Sequence, residues 1–85
     1  MSNFPVITGK QLIRLLQKDG WEIARQHGTS HAILKKRTEH GFRSFPVVNT
    51  NEEIPISTLM QILGTKQSMI GKKGILALIK EHGLK

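Results

Sequence analysis

At 85 residues the chain makes one domain, residues 1–85, with a single modest core and no room for a separate regulatory module, so any function sits on that domain's own surface. The absence of cysteine excludes a disulfide framework and a thiolate zinc site, and fits a reducing compartment. Thirteen Lys and Arg against six Asp and Glu, a formal charge of +7, favour a polyanionic or acidic partner, with nucleic acid the first candidate. The start of the chain has neither a charged n-region nor a long apolar run, so the expectation is a soluble cytoplasmic protein that does not engage a membrane.

Thr8 and Gln11 fit a capping box, and Ile7 and Leu12 stand where a hydrophobic staple would place them. A helix is therefore predicted from Gly9 to Lys18 or Asp19. Leu12, Leu15 and Leu16 form its apolar stripe, Lys10, Arg14 and Lys18 point largely elsewhere, and Gly20 suits a left-handed stop. From Trp21 the period changes to two, with Trp21 and Ile23 on one face and Glu22 and Ala24 on the other, until Gly28-Thr29 breaks the run. A second strand is predicted from Ser30 to Arg37, placing His31, Ile33 and Lys35 on one face and Ala32, Leu34 and Lys36 on the other. The polar stretch Thr38-Glu39-His40-Gly41 turns into a third strand from Phe42 to Val48, where Pro46 lacks a ladder donor and points to an edge or a strand end.

After the polar loop from Asn49 to Glu53, Pro55 can open a second helix with Leu59, Ile62 and Leu63 at helical spacing and Gly64 as its end. Ile75, Leu78 and Ile79, with Gly83 as a stop, predict a short third helix. The expected class is α+β, ordered α-β-β-β-α around a three-stranded antiparallel sheet, with an extra short C-terminal helix and the helices packed on one face of the sheet.

No Walker or dinucleotide glycine loop, His-Glu-x-x-His, Cys-x-x-Cys or Gly-x-Ser-x-Gly occurs. Glu52 and Glu53 have no evident third carboxylate for a metal clamp, so they are read as loop-solvating residues, and no metal or cofactor is expected. Between Arg25 and Arg43 lie five basic residues (Arg25, Lys35, Lys36, Arg37 and Arg43), one acid (Glu39) and three of the four histidines. RNA cleavage through the ribose 2′-hydroxyl needs a group that moves protons near neutrality and a cation at the phosphoryl oxygens. His31, at a turn-strand junction with Lys35 along the same face, can supply that group, or it can be a strand-end histidine that bonds backbone. His27 and His40 read as exposed loop residues, and His82 as a complement to a helix C-terminus. Trp21, Phe42 and Phe45 can stack bases, but as members of period-two runs they read as core. Thr65 to Ile79 loosely resembles a turn and recognition helix, but Gly71 and Gly74 suit a reading helix poorly, so no DNA binding by the chain itself is expected.

Gly9-Lys10-Gln11-Leu12-Ile13-Arg14-Leu15-Leu16, Gly20-Trp21-Glu22, Arg25-Gln26-His27-Gly28-Thr29-Ser30-His31, Ser57-Thr58-Leu59 and Ile62-Leu63 together carry a resemblance to the HicA toxins. The resemblance covers residues 7–64, is most specific from Gly20 to His31, and leaves 65–85 as a C-terminal extension. It implies a double-stranded-RNA-binding-domain-like fold, an mRNA interferase activity, His31 as the catalytic histidine and neutralisation by a HicB-like antitoxin. Many members also carry a histidine shortly after the third strand's proline. This chain reads Pro46-Val47-Val48-Asn49 there, and Asn49 can donate a hydrogen bond but cannot shuttle a proton. The resulting expectation is a metal-independent endoribonuclease in which His31 is general base or acid and Arg25, Ser30, Lys35, Lys36 and Arg37 hold the RNA backbone. The rival readings are a non-catalytic RNA-binding domain of the same fold, and a protein-interaction module with a basic face.

Overall fold

The computed structural model describes residues 4–26, 31–39 and 41–84, with Arg25 and Gln26 described by backbone alone. Along the chain run α1 (Gly9–Lys18), β1 (Glu22–Gln26), β2 (His31–Thr38), β3 (Gly41–Val48), α2 (Ile56–Leu63) and α3 (Gly71–His82). The architecture is α+β in the order α-β-β-β-α-α, consistent with the double-stranded-RNA-binding-domain-like fold.

The ends of α1 follow from its sequence. Gln11 N donates to Thr8 Oγ1 at 3.2 Å, and Thr8 N donates to Gln11 Oε1 at 2.9 Å, closing the capping box. At the other end Gly20 takes φ +98°, Gly20 N donates to the Gln17 carbonyl and Trp21 N to the Leu16 carbonyl. This is a Schellman stop, which needs a residue that tolerates the left-handed region. Between the ends, Leu12, Ile13, Leu15 and Leu16 bury the inner face of the helix.

The sheet is antiparallel in the order β1-β2-β3. β2 and β3 pair in unbroken register from His31 opposite Val48 to Thr38 opposite Gly41. Pro46 lies on β3, an edge strand, where a missing N–H need not break a ladder. β1 departs from the strict alternation expected from Trp21. The strand starts at Glu22, after the Trp21 N–H has helped to close α1, and its register against β2 shifts between Ile23 and Arg25. Ile23 stands opposite the buried Leu34 and so shares the inner side with Trp21, yet on this edge strand it is 40% exposed while Trp21 is buried. Beyond the irregularity Arg25 pairs with Ile33, so the alternation that begins at Trp21 does not continue past Ile23.

Ala32 and Leu34 of β2 with Phe45 and Val47 of β3 form the inner face of the sheet, all buried. Trp21 meets Phe45 edge to face, centroids 4.8 Å apart at 67°, the arrangement that ring quadrupoles favour. Leu59, Ile62 and Leu63 of α2 join this core, and α3 packs on α1 and α2 through the fully buried Ile75. The end of the chain is tied back to α1 where Gln11 Nε2 donates to the Leu84 carbonyl at 2.6 Å. Ser68, buried between α2 and α3, donates through Oγ to the Ile62 carbonyl at 2.6 Å and accepts from Ile70 N. Every helix thus serves the inner side of the sheet.

Candidate functional site

Alternation along β2 puts His31, Ile33, Lys35 and Arg37 on the outer face, opposite Val48, Pro46, Ser44 and Phe42 of β3 respectively. All of these are exposed except Ile33, which is half-buried. With the helices on the other side, this face is open to solvent.

His31 stands at one corner of it, beginning β2 beside the end of β3. A hollow of about 440 Å³ opens there, lined by His31, Val48, Thr50, Glu52, Glu53, Pro55 and Thr58 among others. Its position depends on how the chain returns from β3 to α2. Gly9 N donates to the Glu52 carbonyl, Lys10 N to the Thr50 carbonyl and Ile54 N to the Ile7 carbonyl, and Thr8 pairs with Glu53 in an isolated bridge. The β3–α2 loop is thereby fastened to the start of α1, and Glu52 and Glu53 come to the same hollow as His31. From the sequence these two acids are expected only to solvate the loop. Nothing in their spacing reveals the hollow, since it arises from a tertiary loop closure. Asn49, just after β3, is not among the residues that line it.

α2 opens at Pro55 with no side-chain cap. A helix start of that kind offers first-turn N–H groups that can receive an anion. Pro55 and Thr58 both line the hollow. Its lining thus includes residues bearing an imidazole, two carboxylates and a hydroxyl beside an uncapped helix start, together with the apolar Pro46, Val47, Ile54 and Ile62.

The basic residues separate into two groups. Lys35 and Arg37 lie on the outer face, Lys35 Nζ 5.9 Å and Arg37 Cζ 5.6 Å from the centroid of the Phe42 ring. Lys36 faces the other way: its Nζ donates to the Asp19 carbonyl at 2.7 Å and to Asp19 Oδ2 at 3.2 Å, and lies 5.8 Å from the Trp21 centroid. Lys36 thus tethers the end of α1 to the sheet. Arg43 also belongs to the inner side, Nη1 donating to the Thr65 carbonyl at 2.8 Å. The backbone of Arg25 pairs with Ile33, which makes it a diagonal neighbour of His31 at roughly 7–8 Å between Cα atoms in an antiparallel pair. Ser30, His27 and His40, and the Gly28-Thr29 turn, lie outside the described residues.

One aromatic departs from expectation. Trp21 and Phe45 are core, but Phe42 is 70% exposed. The signal was available: Phe42 and Phe45 are three residues apart, so in a strand they cannot share a face, and Phe45 with Val47 identifies the inner one.

Among the described residues no three His, Asp or Glu side chains come together to hold a metal ion, and no helix is long and apolar enough to cross a membrane. Comparison with curated proteins and with solved structures finds no match. The family model of the HicA toxin of bacterial toxin-antitoxin systems matches residues 9–70, reaching from the start of α1 through the His31 corner to the residue before α3, and the chain belongs to that family.

Proposed function

We propose that this toxin is a metal-independent endoribonuclease that cleaves mRNA, with His31 as a catalytic residue, and that a HicB-like antitoxin neutralises it by covering the His31 corner. The observation that carries the reading is a hollow lined by His31, Glu52 and Glu53 at the edge of an open face bearing Lys35 and Arg37. Cleavage by the neighbouring 2′-hydroxyl needs two proton transfers: one from the attacking oxygen as the O–P bond forms, and one to the 5′-oxygen as its bond to phosphorus breaks. An ionised carboxylate is a natural acceptor and an imidazolium a natural donor. Glu52 or Glu53 takes the 2′-hydroxyl proton, His31 delivers a proton to the leaving 5′-oxygen, and the products are a 2′,3′-cyclic phosphate and a 5′-hydroxyl. This supplies the second proton-transfer group without a second histidine.

Charge on the scissile phosphate needs a separate source. Lys35 is four residues beyond His31, roughly 13 Å along the strand, so it serves a neighbouring phosphate. The first turn of α2 and Thr58 border the His31 hollow and are assigned that role, because preorganised donors aimed at developing charge are an effective form of stabilisation, with Arg25 proposed to hold the RNA backbone. Lys35 and Arg37 then hold the RNA backbone, a role also proposed for Ser30. Lys36 contributes mainly to the field, because its ammonium is engaged at Asp19.

The test is cleavage of a defined RNA by purified protein in the presence of chelator. His31→Ala is expected to lower the rate about 10²-fold to 10⁴-fold while binding of an uncleavable 2′-O-methyl oligonucleotide persists. One of Glu52→Gln and Glu53→Gln should fall in the same range, identifying the base. Undiminished cleavage by His31→Ala would overturn the catalytic reading. Binding without cleavage by the native chain would favour a non-catalytic RNA-binding domain.

A further inference from the structure

We infer that Phe42 is a base-stacking subsite for unpaired RNA, remote from the reacting bond, with Lys35 and Arg37 holding the phosphates on either side of the stacked base. The inference rests on the RNA-cleaving reading for the class of polymer, but its geometry is independent of His31. A lone exposed apolar side chain would carry no argument. Phe42 differs because the residue is 70% exposed on the open sheet face, with the cationic groups of Lys35 and Arg37 5.9 and 5.6 Å from its ring centroid. It borders a shallow hollow of about 300 Å³ whose other lining residues are Gly20, Glu22, Lys35, Lys36 and Arg37.

An aromatic ring flanked by cations fits a nucleotide, whose base has a flat π-face and whose links to its neighbours are anionic. The two cations lie on exposed, flexible stems and can move from the ring to the phosphates as a base arrives. Glu22 stands opposite Lys35 on β1, and its carboxylate repels a phosphate path on that side. The backbone is steered instead over β3, across Ser44 and Phe42. A duplex presents no free base face to a ring on a sheet surface, so the subsite selects an unpaired base.

Arg37, opposite Phe42, is six residues beyond His31, roughly 20 Å along β2. The stacked base is therefore a few nucleotides from the cleaved bond. RNA is held at two separated points, and substrates too short to reach Phe42 lose that hold.

The experiment measures affinity for a labelled 2′-O-methyl oligonucleotide, which lacks the attacking hydroxyl, alongside an abasic version and a duplex of the same sequence. Phe42→Leu keeps apolar bulk but removes the π-face, and should weaken binding of the unpaired oligonucleotide about tenfold to a hundredfold. Phe42→Trp should bind like the native chain, and its added fluorescence should be quenched by the oligonucleotide. The abasic strand and the duplex should bind native and Phe42→Leu proteins equally. Equal affinity of native and Phe42→Leu proteins for the unpaired strand would overturn the subsite, as would an equal loss on the abasic strand. Loss of antitoxin binding with RNA affinity intact would assign the ring to the protein partner and also overturn it. Full cleavage by His31→Ala would remove the catalytic reading and leave this subsite standing.

Discussion

Lys35 and Lys36 are adjacent, identical in type and opposite in role. Period-two alternation separates them in the sequence, but the partner of Lys36 is not visible there, because Asp19 lies on the far side of a helix stop and a strand. In the fold the Lys36 ammonium bonds both the Asp19 carbonyl and carboxylate, with the two side chains about one-third exposed. Exposed ion pairs contribute about 0–1 kcal/mol, and a hydrogen bond to a helix-end carbonyl adds about the same again. Lys36→Met is therefore expected to lower unfolding free energy by about 1 kcal/mol in denaturant titration, with little change in affinity for an uncleavable oligonucleotide. Lys35→Met should do the reverse. A larger loss of RNA affinity from Lys36→Met than from Lys35→Met would place the binding face on the wrong side of the sheet.

The start of α1 shows how much of an element's surroundings a sequence can announce. The capping box and the apolar stripe are local, and both are legible in Thr8, Gln11, Leu12, Leu15 and Leu16. The β1 irregularity is not, since no glycine or proline marks it, and neither is the seam between α1 and the β3–α2 loop. That seam passes over Gly9, where an added Cβ would run into the Val48 carbonyl. Backbone cannot yield as a flexible side chain can, so Gly9→Ala must shift either α1 or the end of β3. Such overpacking costs about 1–3 kcal/mol, whereas Thr8→Ala, which loses the cap alone, costs about 1 kcal/mol. The seam also carries Glu52 and Glu53 to the His31 hollow. Gly9→Ala should thus reduce cleavage by more than its loss of stability explains, while oligonucleotide binding on the outer face persists. Unfolding curves and single-turnover cleavage on the same preparations separate the two effects. Unchanged cleavage per folded molecule would mean that the loop's attachment to α1 does not govern the site.

For the molecule as a whole, element order, helix-free face and net charge could be read from the residues, while the His31 hollow and the exposure of Phe42 depended on chain return and register. The charge of +7 does not identify an interface by itself, because Lys72 and Lys73 are exposed on α3, and α3 packs on the other helices. Salt dependence distinguishes a localised face from a diffuse field. Each phosphate neutralised on a single strand contributes about 0.7 to the slope of log K against log salt concentration. Replacing Lys35 and Arg37 together by Gln should flatten that slope by about 1.4 if each holds one phosphate. Replacing Lys72 and Lys73 by Gln removes the same charge and should leave the slope unchanged, with affinity altered only through the long-range field. Equal flattening by both pairs would mean that RNA samples the whole basic surface. Flattening by the sheet pair alone would fix the path of the strand across β2 and β3 toward His31.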